Sequence, residues 1–324
     1  LKAYNGSQGT FNSYRREIER LFHWCALVAK KSVAQLKRDD IEMFVHFCQK
    51  PPKEWIGLTK PPRFIEHDGL RIPNTQWRPF VAAISKAQRR KGVDASIKKF
   101  ELSQGSLKEL FAILSTFYNF LLQEEYALAN PVALIRQKSK FIRKAQGQTK
   151  IRRLTELQWQ YVIQTATELA DKDPIKHERT LFMLSALFSM YLRISELAAS
   201  DRWSPSMNHF ARDGDGNWWF MTVGKGNKER QIAVSDTMIK ALKRWRQHLG
   251  LSILPSPADQ SPMLPKTKGS GPIKSTNFVR KIIQEAFDTA IENLTKDGLA
   301  EEAETLNEAT VHWLRHTGIS EDVK

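Results

Sequence analysis

Leu192-Arg193-Ile194-Ser195-Glu196-Leu197 closes a strongly apolar run that starts near Leu181. The run has the composition of a buried helix, and it delivers an arginine with a glutamate three positions later. Alone, such a pair is an ordinary helix-surface contact of about 0.3 kcal/mol. Two later segments add to it. Trp218–Val223 and Gln231–Val234 read as short strands joined by Gly224-Lys225-Gly226-Asn227-Lys228, a hairpin-turn composition, followed by Glu229-Arg230. Further on, His312-Trp313-Leu314-Arg315-His316-Thr317 sets His312 and Arg315 on one helical face. A Gly/Asn/Lys turn is common at surfaces, and His-x-x-Arg recurs by chance, so none of the three carries weight singly.

Around them the pattern is mostly helical. Thr155-Glu156-Leu157-Gln158 is a capping box that opens a helix through Trp159 to Ala170, and a second, apolar helix follows Pro174. Helical periodicity returns over 236–249 and 273–293. Residues 154–324 thus read as a mainly helical domain holding one small antiparallel sheet.

Upstream, residues 136–153 carry Arg136, Lys138, Lys140, Arg143, Lys144, Lys150, Arg152 and Arg153 without an acidic residue. Gln146-Gly147-Gln148 interrupts any long periodicity there, so this stretch reads as a linker. A solvated tether is the plain explanation. Eight uncompensated cations favour a strap along phosphates, where each displaces a counterion.

Residues 1–135 form a second domain, all helical in its patterning. Tyr14, Ile18, Leu21, Phe22, Cys25 and Val28 make one apolar stripe from Thr10 onward. Asp39 or Asp40 is placed to cap a second helix that turns Ile41, Phe44, Val45 and Cys48 inward. Ser106-Leu107-Lys108-Glu109 reads as a capping box for a helix ending before Asn130-Pro131. Between them, Pro51, Pro52, Pro61, Pro62, Pro73 and Pro79 rule out a regular helix over 51–79 and mark a long ordered loop or insertion. His23-x-Cys25 and His46-x-Cys48 offer ligand types that zinc accepts. Both pairs fall on helical stretches where residues two apart diverge, and both cysteines lie on apolar stripes, so core packing is the expected role.

The chain has 324 residues, 50 Lys plus Arg against 35 Asp plus Glu, a net charge of +15 and 41% hydrophobic residues. That is enough apolar material for a core in each of two domains. The basic excess calls for a polyanionic partner. Because it recurs from residue 86 onward instead of concentrating on one amphipathic helix, nucleic acid is favoured over a membrane surface. No apolar run approaches a spanning length and no signal pattern opens the chain. Two cysteines require no disulfide framework and suit a reducing compartment.

Taken in order within one basic domain, the three segments resemble the active site of the tyrosine recombinases, the phage-integrase family. There an R-x-S-E-L-like segment supplies one arginine, a β-hairpin turn a lysine, and an H-x-L-R-H-T box a histidine and a second arginine. Arg193–Leu197, Gly224–Arg230 and His312–Thr317 match these boxes. The resemblance covers roughly residues 8–324, with 51–79 as an addition. It implies a mainly α chain: a helical, SAM-like core-binding domain followed by a mixed, mostly helical catalytic domain with a small sheet. It implies DNA strand cleavage and rejoining through a 3′-phosphotyrosine, with Arg193, Lys225, His312 and Arg315 as catalytic groups and Glu196 behind Arg193. The two arginines would hold the non-bridging phosphate oxygens without a metal or cofactor. Lys225 would protonate the departing 5′ oxygen. The linker cations, Lys228 and Arg230 would contact DNA. The implied partners are duplex DNA, clamped between the domains, and further copies of the protein in dimers and tetramers on paired sites; the implied location is the bacterial cytoplasm, with the nucleoid. A DNA-binding relative that lost the chemistry is the main alternative, and a type IB topoisomerase a weaker one.

Two departures stand out. Where the family often has glycine before the leucine preceding its first arginine, this chain has Tyr191. The family's nucleophilic tyrosine should follow the second arginine by several helical turns, yet Tyr4, Tyr14, Tyr118, Tyr126, Tyr161 and Tyr191 are the only tyrosines. The expectation is that the nucleophile segment is missing from this chain, which also begins at Leu1 without an initiator Met.

Overall fold

The computed structural model describes residues 7–133, 135, 141, 152–224, 226 and 228–322. Two compact units divide the chain, one up to Gln148 and the other from Thr149.

In the first unit, α1 (Gln8–Trp24) runs on into a π-helical turn, Cys25–Ala29, that ends at Lys30 in the left-handed region. Helix α2 (Arg38–Gln49) follows. Asp40 does not sit at its N-cap as expected. It lies one turn inside, where its carboxylate accepts from the Lys31 ammonium at 2.6 Å and from the Lys37 backbone N–H at 2.9 Å, which hold Asp40 below the usual carboxylate range. Leu21, Trp24, Ile41, Phe44 and Val45 are buried together with Cys25 and Cys48. Burial pushes the Cys25 thiol up to about 11 and the Cys48 thiol further, so both behave as small apolar groups.

The proline-rich stretch contains more order than expected. Strands β1 (Ile56–Gly57) and β4 (Phe80–Val81) pair in parallel at its base, while β2 (Phe64–His67) and β3 (Leu70–Pro73) form an antiparallel hairpin. Its turn is Asp68-Gly69, both at positive φ, the pairing that a two-residue hairpin loop demands. Where the chain returns, Arg20 donates to the Pro79 carbonyl at 2.9 Å, lies over the Phe80 ring and pairs with buried Glu17 at 2.8 Å.

After a short helix α3 (Lys86–Arg90) comes α4 (Gln104–Gln123), which starts before the expected Ser106 box. Ser103 is the N-cap, accepting from the Ser106 N–H, and Glu109 pairs with Arg16 instead of closing a box. Asn130 ties the chain back to α4, its amide donating to Ser115 O at 3.1 Å and to Asn119 at 2.8 Å.

The second unit opens as expected: Thr155 and Gln158 form the reciprocal box of α5 (Glu156–Lys172), and Pro174 is the first residue of α6 (Pro174–Ser189). A one-turn helix α7 (Ile194–Leu197) leads to a sheet of three strands in the order β5 (Phe210–Arg212), β6 (Trp218–Val223), β7 (Glu229–Ala233), all antiparallel. Two strands were expected, and β5 is the addition. Helices α8 (Asp236–His248), α9 (Thr276–Lys296), α10 (Ala300–Glu308) and α11 (Val311–Asp322) complete the unit. Its core runs from Phe182, Leu187 and Met190 through Phe220, Trp245, Ile283 and Phe287 to Leu314. Among the described residues no helix is long and apolar enough to cross a membrane.

Candidate active site

The site begins where α6 stops. Met190 caps the helix, and Tyr191 takes φ of +50°, the left-handed region that a side chain other than glycine seldom enters. Tyr191 is therefore not on an apolar helix, as the sequence suggested. It stands at the corner beyond that helix, and a glycine there would meet the same backbone demand without strain. The corner swings the chain so that Arg193 becomes the N-cap of α7, with extended backbone.

Glu196 sits one turn inside α7 and is 1% exposed. One carboxylate oxygen accepts from the Arg193 backbone N–H at 2.7 Å and from Arg230 Nη2 at 2.7 Å. The other accepts from Arg193 Nη1 at 3.0 Å. A single buried carboxylate thus aims two guanidiniums, one from α7 and one from β7. Trp203 holds this turn from below, donating its indole N–H to the Glu196 carbonyl at 2.9 Å. Gly224, at the end of β6, completes the enclosure: a Cβ there would lie 3.2 Å from the Glu196 carboxylate and 3.5 Å from Arg193 Nη1.

Helix α11 brings the third box. Arg315 donates through Nη1 to the Tyr191 carbonyl, which places it beside Arg193 and Arg230. Burial lowers its proton affinity, and the positive fields of Arg193 and Arg230 add to that against the opposing pull of Glu196. Arginine stays charged nonetheless. The His312 imidazole is also held below its usual range, by burial first and then by His316, Arg315, Arg193 and Arg152. This favours the neutral imidazole, the form able to accept a proton. The His316 ring meets it edge to face at 4.5 Å.

Two contacts fix α11. Thr317 is 2% exposed, and its hydroxyl accepts from the Leu154 N–H at 2.9 Å, pinning the exposed Arg152 and Arg153 close to the helix. Gly318 packs against the end of α6, where a Cβ would run into the Phe188 carbonyl and lie 2.7 Å from the Tyr191 ring.

The sequence-selected residues Arg193, Glu196, His312 and Arg315 are therefore brought together. Arg230, read from sequence as a DNA contact, joins them. Lys228 is exposed at the hairpin, where its carbonyl accepts from the Gly224 N–H. Lys225, Arg136, Lys138, Lys140, Arg143, Lys144 and Lys150 lie outside the described residues. Sequence reasoning passed over Trp203 and Gly318, and it read Gly224 only as a turn residue; an isolated glycine inside a helical pattern was the available signal for Gly318.

No protein-family model matches the sequence. Over 144 residues the chain is 29% identical to tyrosine recombinase XerD of Staphylococcus saprophyticus, a stretch spanning 44% of this chain and 42% of that relative. The fold matches the XerH site-specific recombinase bound to a palindromic difH substrate with a TM-score of 0.57 at 13% identity, over 97% of this chain and 69% of that one. A lambda integrase dimer bound to a COC′ core site matches with a TM-score of 0.50 at 13% identity, over 98% of this chain and 65% of that one. The chain has the tyrosine recombinase fold. Its mainly α architecture with small antiparallel sheets is that family's fold. What separates this chain from the glycine-bearing pattern is Tyr191, and the backbone there is left-handed all the same.

Proposed function

We propose that this protein is a site-specific DNA recombinase that breaks and rejoins strands of duplex DNA by transesterification through a 3′-phosphotyrosine. The supporting observation is the convergence of Arg193, Arg230 and Arg315 around one buried carboxylate, with His312 alongside. In-line attack at a phosphodiester places extra charge on the non-bridging oxygens, and fixed guanidiniums stabilise that charge without reorganising at the moment of reaction. Arg193 and Arg315 would hold those oxygens, and His312 would assist proton transfer. Lys225, which the sequence puts in the loop of the β6–β7 hairpin, would protonate the leaving 5′ oxygen. Further copies of the chain would assemble on paired sites, with the bacterial cytoplasm as the place of action.

The nucleophile is the group left to assign. All six tyrosines precede Arg193, and Tyr191 meets Arg315 through its backbone carbonyl. When the 324-residue chain is incubated with nicked duplexes and denatured, binding without covalent capture is expected. A version carrying a tyrosine-bearing segment after α11 should give an adduct, lost in Arg315→Ala. In that version Lys225→Ala should block cleavage, and a 5′-bridging sulfur leaving group should restore it. Failure of the sulfur substrate would remove Lys225 as the acid. If neither version is captured, the DNA-binding relative without chemistry is the better reading.

The linker cations make a separate prediction. Arg152 and Arg153 are exposed and pinned next to α11 through Leu154. Neutralising both should flatten the log–log dependence of duplex affinity on salt by about 2, one unit for each released counterion. An unchanged slope would take this end of the basic run off the DNA.

A further inference from the structure

Arg230 lies on β7, 34 positions from Glu196, yet donates to the same carboxylate that aims Arg193. Its Nε is buried and has no hydrogen-bond partner among the described residues, so Glu196 dominates its polar contacts. On the other arm of the hairpin, Gly224 is packed so tightly on Glu196 and Arg193 that a Cβ would reach the carboxylate. The β6–β7 hairpin, whose loop includes Lys225 in the sequence, is thereby clasped to α7 from both strands.

We propose that Arg230 is a positioning residue: through Glu196 it couples the β6–β7 hairpin to Arg193, so that the hairpin's placement and the aim of the phosphate-binding guanidinium are set together. Glu196 has two oxygens and serves three donors, the Arg193 amide, Arg193 Nη1 and Arg230 Nη2. Displacing Arg230 lets the carboxylate rotate, and Arg193 loses its fixed direction. A misdirected guanidinium keeps its charge but forfeits the paired geometry that phosphate recognition requires. The coupling explains why a residue remote in sequence is an arginine: lysine would keep the charge but not the planar fork. The inference rests on the phosphate-site reading above.

The test uses the 324-residue chain, with tungstate as a tetrahedral dianion probe followed through the His312 imidazole resonances. Arg230→Gln should weaken tungstate about tenfold, or 1.4 kcal/mol, with Arg230→Lys recovering only part of the loss. In a Glu196→Gln background the Arg230→Gln effect should vanish, because the path from hairpin to Arg193 is already cut. An undiminished effect in that background would mean that Arg230 meets the anion directly, and equal affinities in wild type and Arg230→Gln would mean that it does nothing; either overturns the proposal. Hydrogen exchange without ligand keeps the two readings apart. Arg230→Gln should speed exchange at the Arg193 amide and along β7 by about tenfold, at unchanged protection of α8. If tungstate fails to bind wild type, the phosphate-site reading falls, while the exchange data still support or overturn the coupling.

Discussion

Glu196→Ala is expected to be the most damaging single substitution in the second unit. The carboxylate is 1% exposed and neutralises two guanidiniums whose side chains are only 38% and 31% exposed. Removing one partner of a buried ion pair costs roughly 3–5 kcal/mol, because the remaining charge is left uncompensated. Arg193 and Arg230 keep about a third of their surface in water, which screens them, so about 2–3 kcal/mol is the better expectation. Loss of the N–H···carboxylate cap on α7 belongs within that figure. Urea unfolding should show the loss at an unchanged slope, and duplex affinity should become less sensitive to Arg193→Ala than in wild type. Glu196→Gln should fall between, since it keeps one acceptor but abolishes the charge. A stable Glu196→Ala protein with wild-type response to Arg193→Ala would show that the carboxylate does not organise the site.

Gly318→Ala is the second large effect, and its cause is steric. The added methyl would strike the Phe188 carbonyl, which is backbone and cannot rotate away, and the Tyr191 ring, which is held at a left-handed corner. Either α11 lifts or the end of α6 gives way. Overpacking of this kind costs about 1–3 kcal/mol. The functional loss should exceed the stability loss, because Arg315 is one turn earlier on the same helix and its contact with the Tyr191 carbonyl is made across this contact surface. Displacement of the His312 and His316 resonances, with weaker tungstate binding, would report the movement. Pairing Gly318→Ala with Tyr191→Gly should recover part of both, since the second change clears the ring and relieves the corner at once.

Legibility of the fold in the sequence followed the range of the forces involved. The Thr155–Gln158 box was readable because both partners lie within one turn and nothing distant competes for them. The Ser106–Glu109 pattern was equally good on paper, but Ser103 offers the same hydroxyl one turn earlier and Glu109 is drawn off by Arg16 across the unit. The end of α6 was placed too late because apolar character continues through Leu192, whereas the break comes from the backbone of Tyr191, a residue that does not advertise a left-handed conformation. Strand β5 has three residues and exists by virtue of its pairing with β6. The Asp68-Gly69 hairpin did carry its signal, masked by the prolines on either side.

The candidate site divides in the same way. Three short segments named Arg193, Glu196, His312 and Arg315 because their spacing is local and resembles a known pattern. That Arg230 shares the Glu196 carboxylate was beyond reach, since side-chain pairing between strand and helix leaves no periodicity. The two zinc-like pairs were settled by the hydrophobic effect: Cys25 and Cys48 are buried in the first unit's core.

The parallel pairing of Ile56 with Phe80 and of Gly57 with Val81 gives the first unit an unusual freedom. Both ends of the proline-rich stretch are stitched to the core at one place, with Ile56 and Phe80 buried and the Ala82 N–H closing on the Gly57 carbonyl at 2.9 Å. What lies between leaves and re-enters at this one place, and its base is moored to α1 as well, with Arg63 donating to Glu19 at 2.6 Å and the Trp77 ring 5.6 Å from that of His23, so it is the β2–β3 hairpin beyond these moorings whose length and content are free of the packing beneath. Because closing a longer loop adds only about 0.6 kcal/mol per doubling, descendants of this chain can trim, lengthen or exchange that hairpin while inheriting the helices unchanged. The hairpin tip is a port at which new recognition elements can be tried at little cost to the scaffold, provided that the Arg63 and Trp77 contacts with α1 are kept.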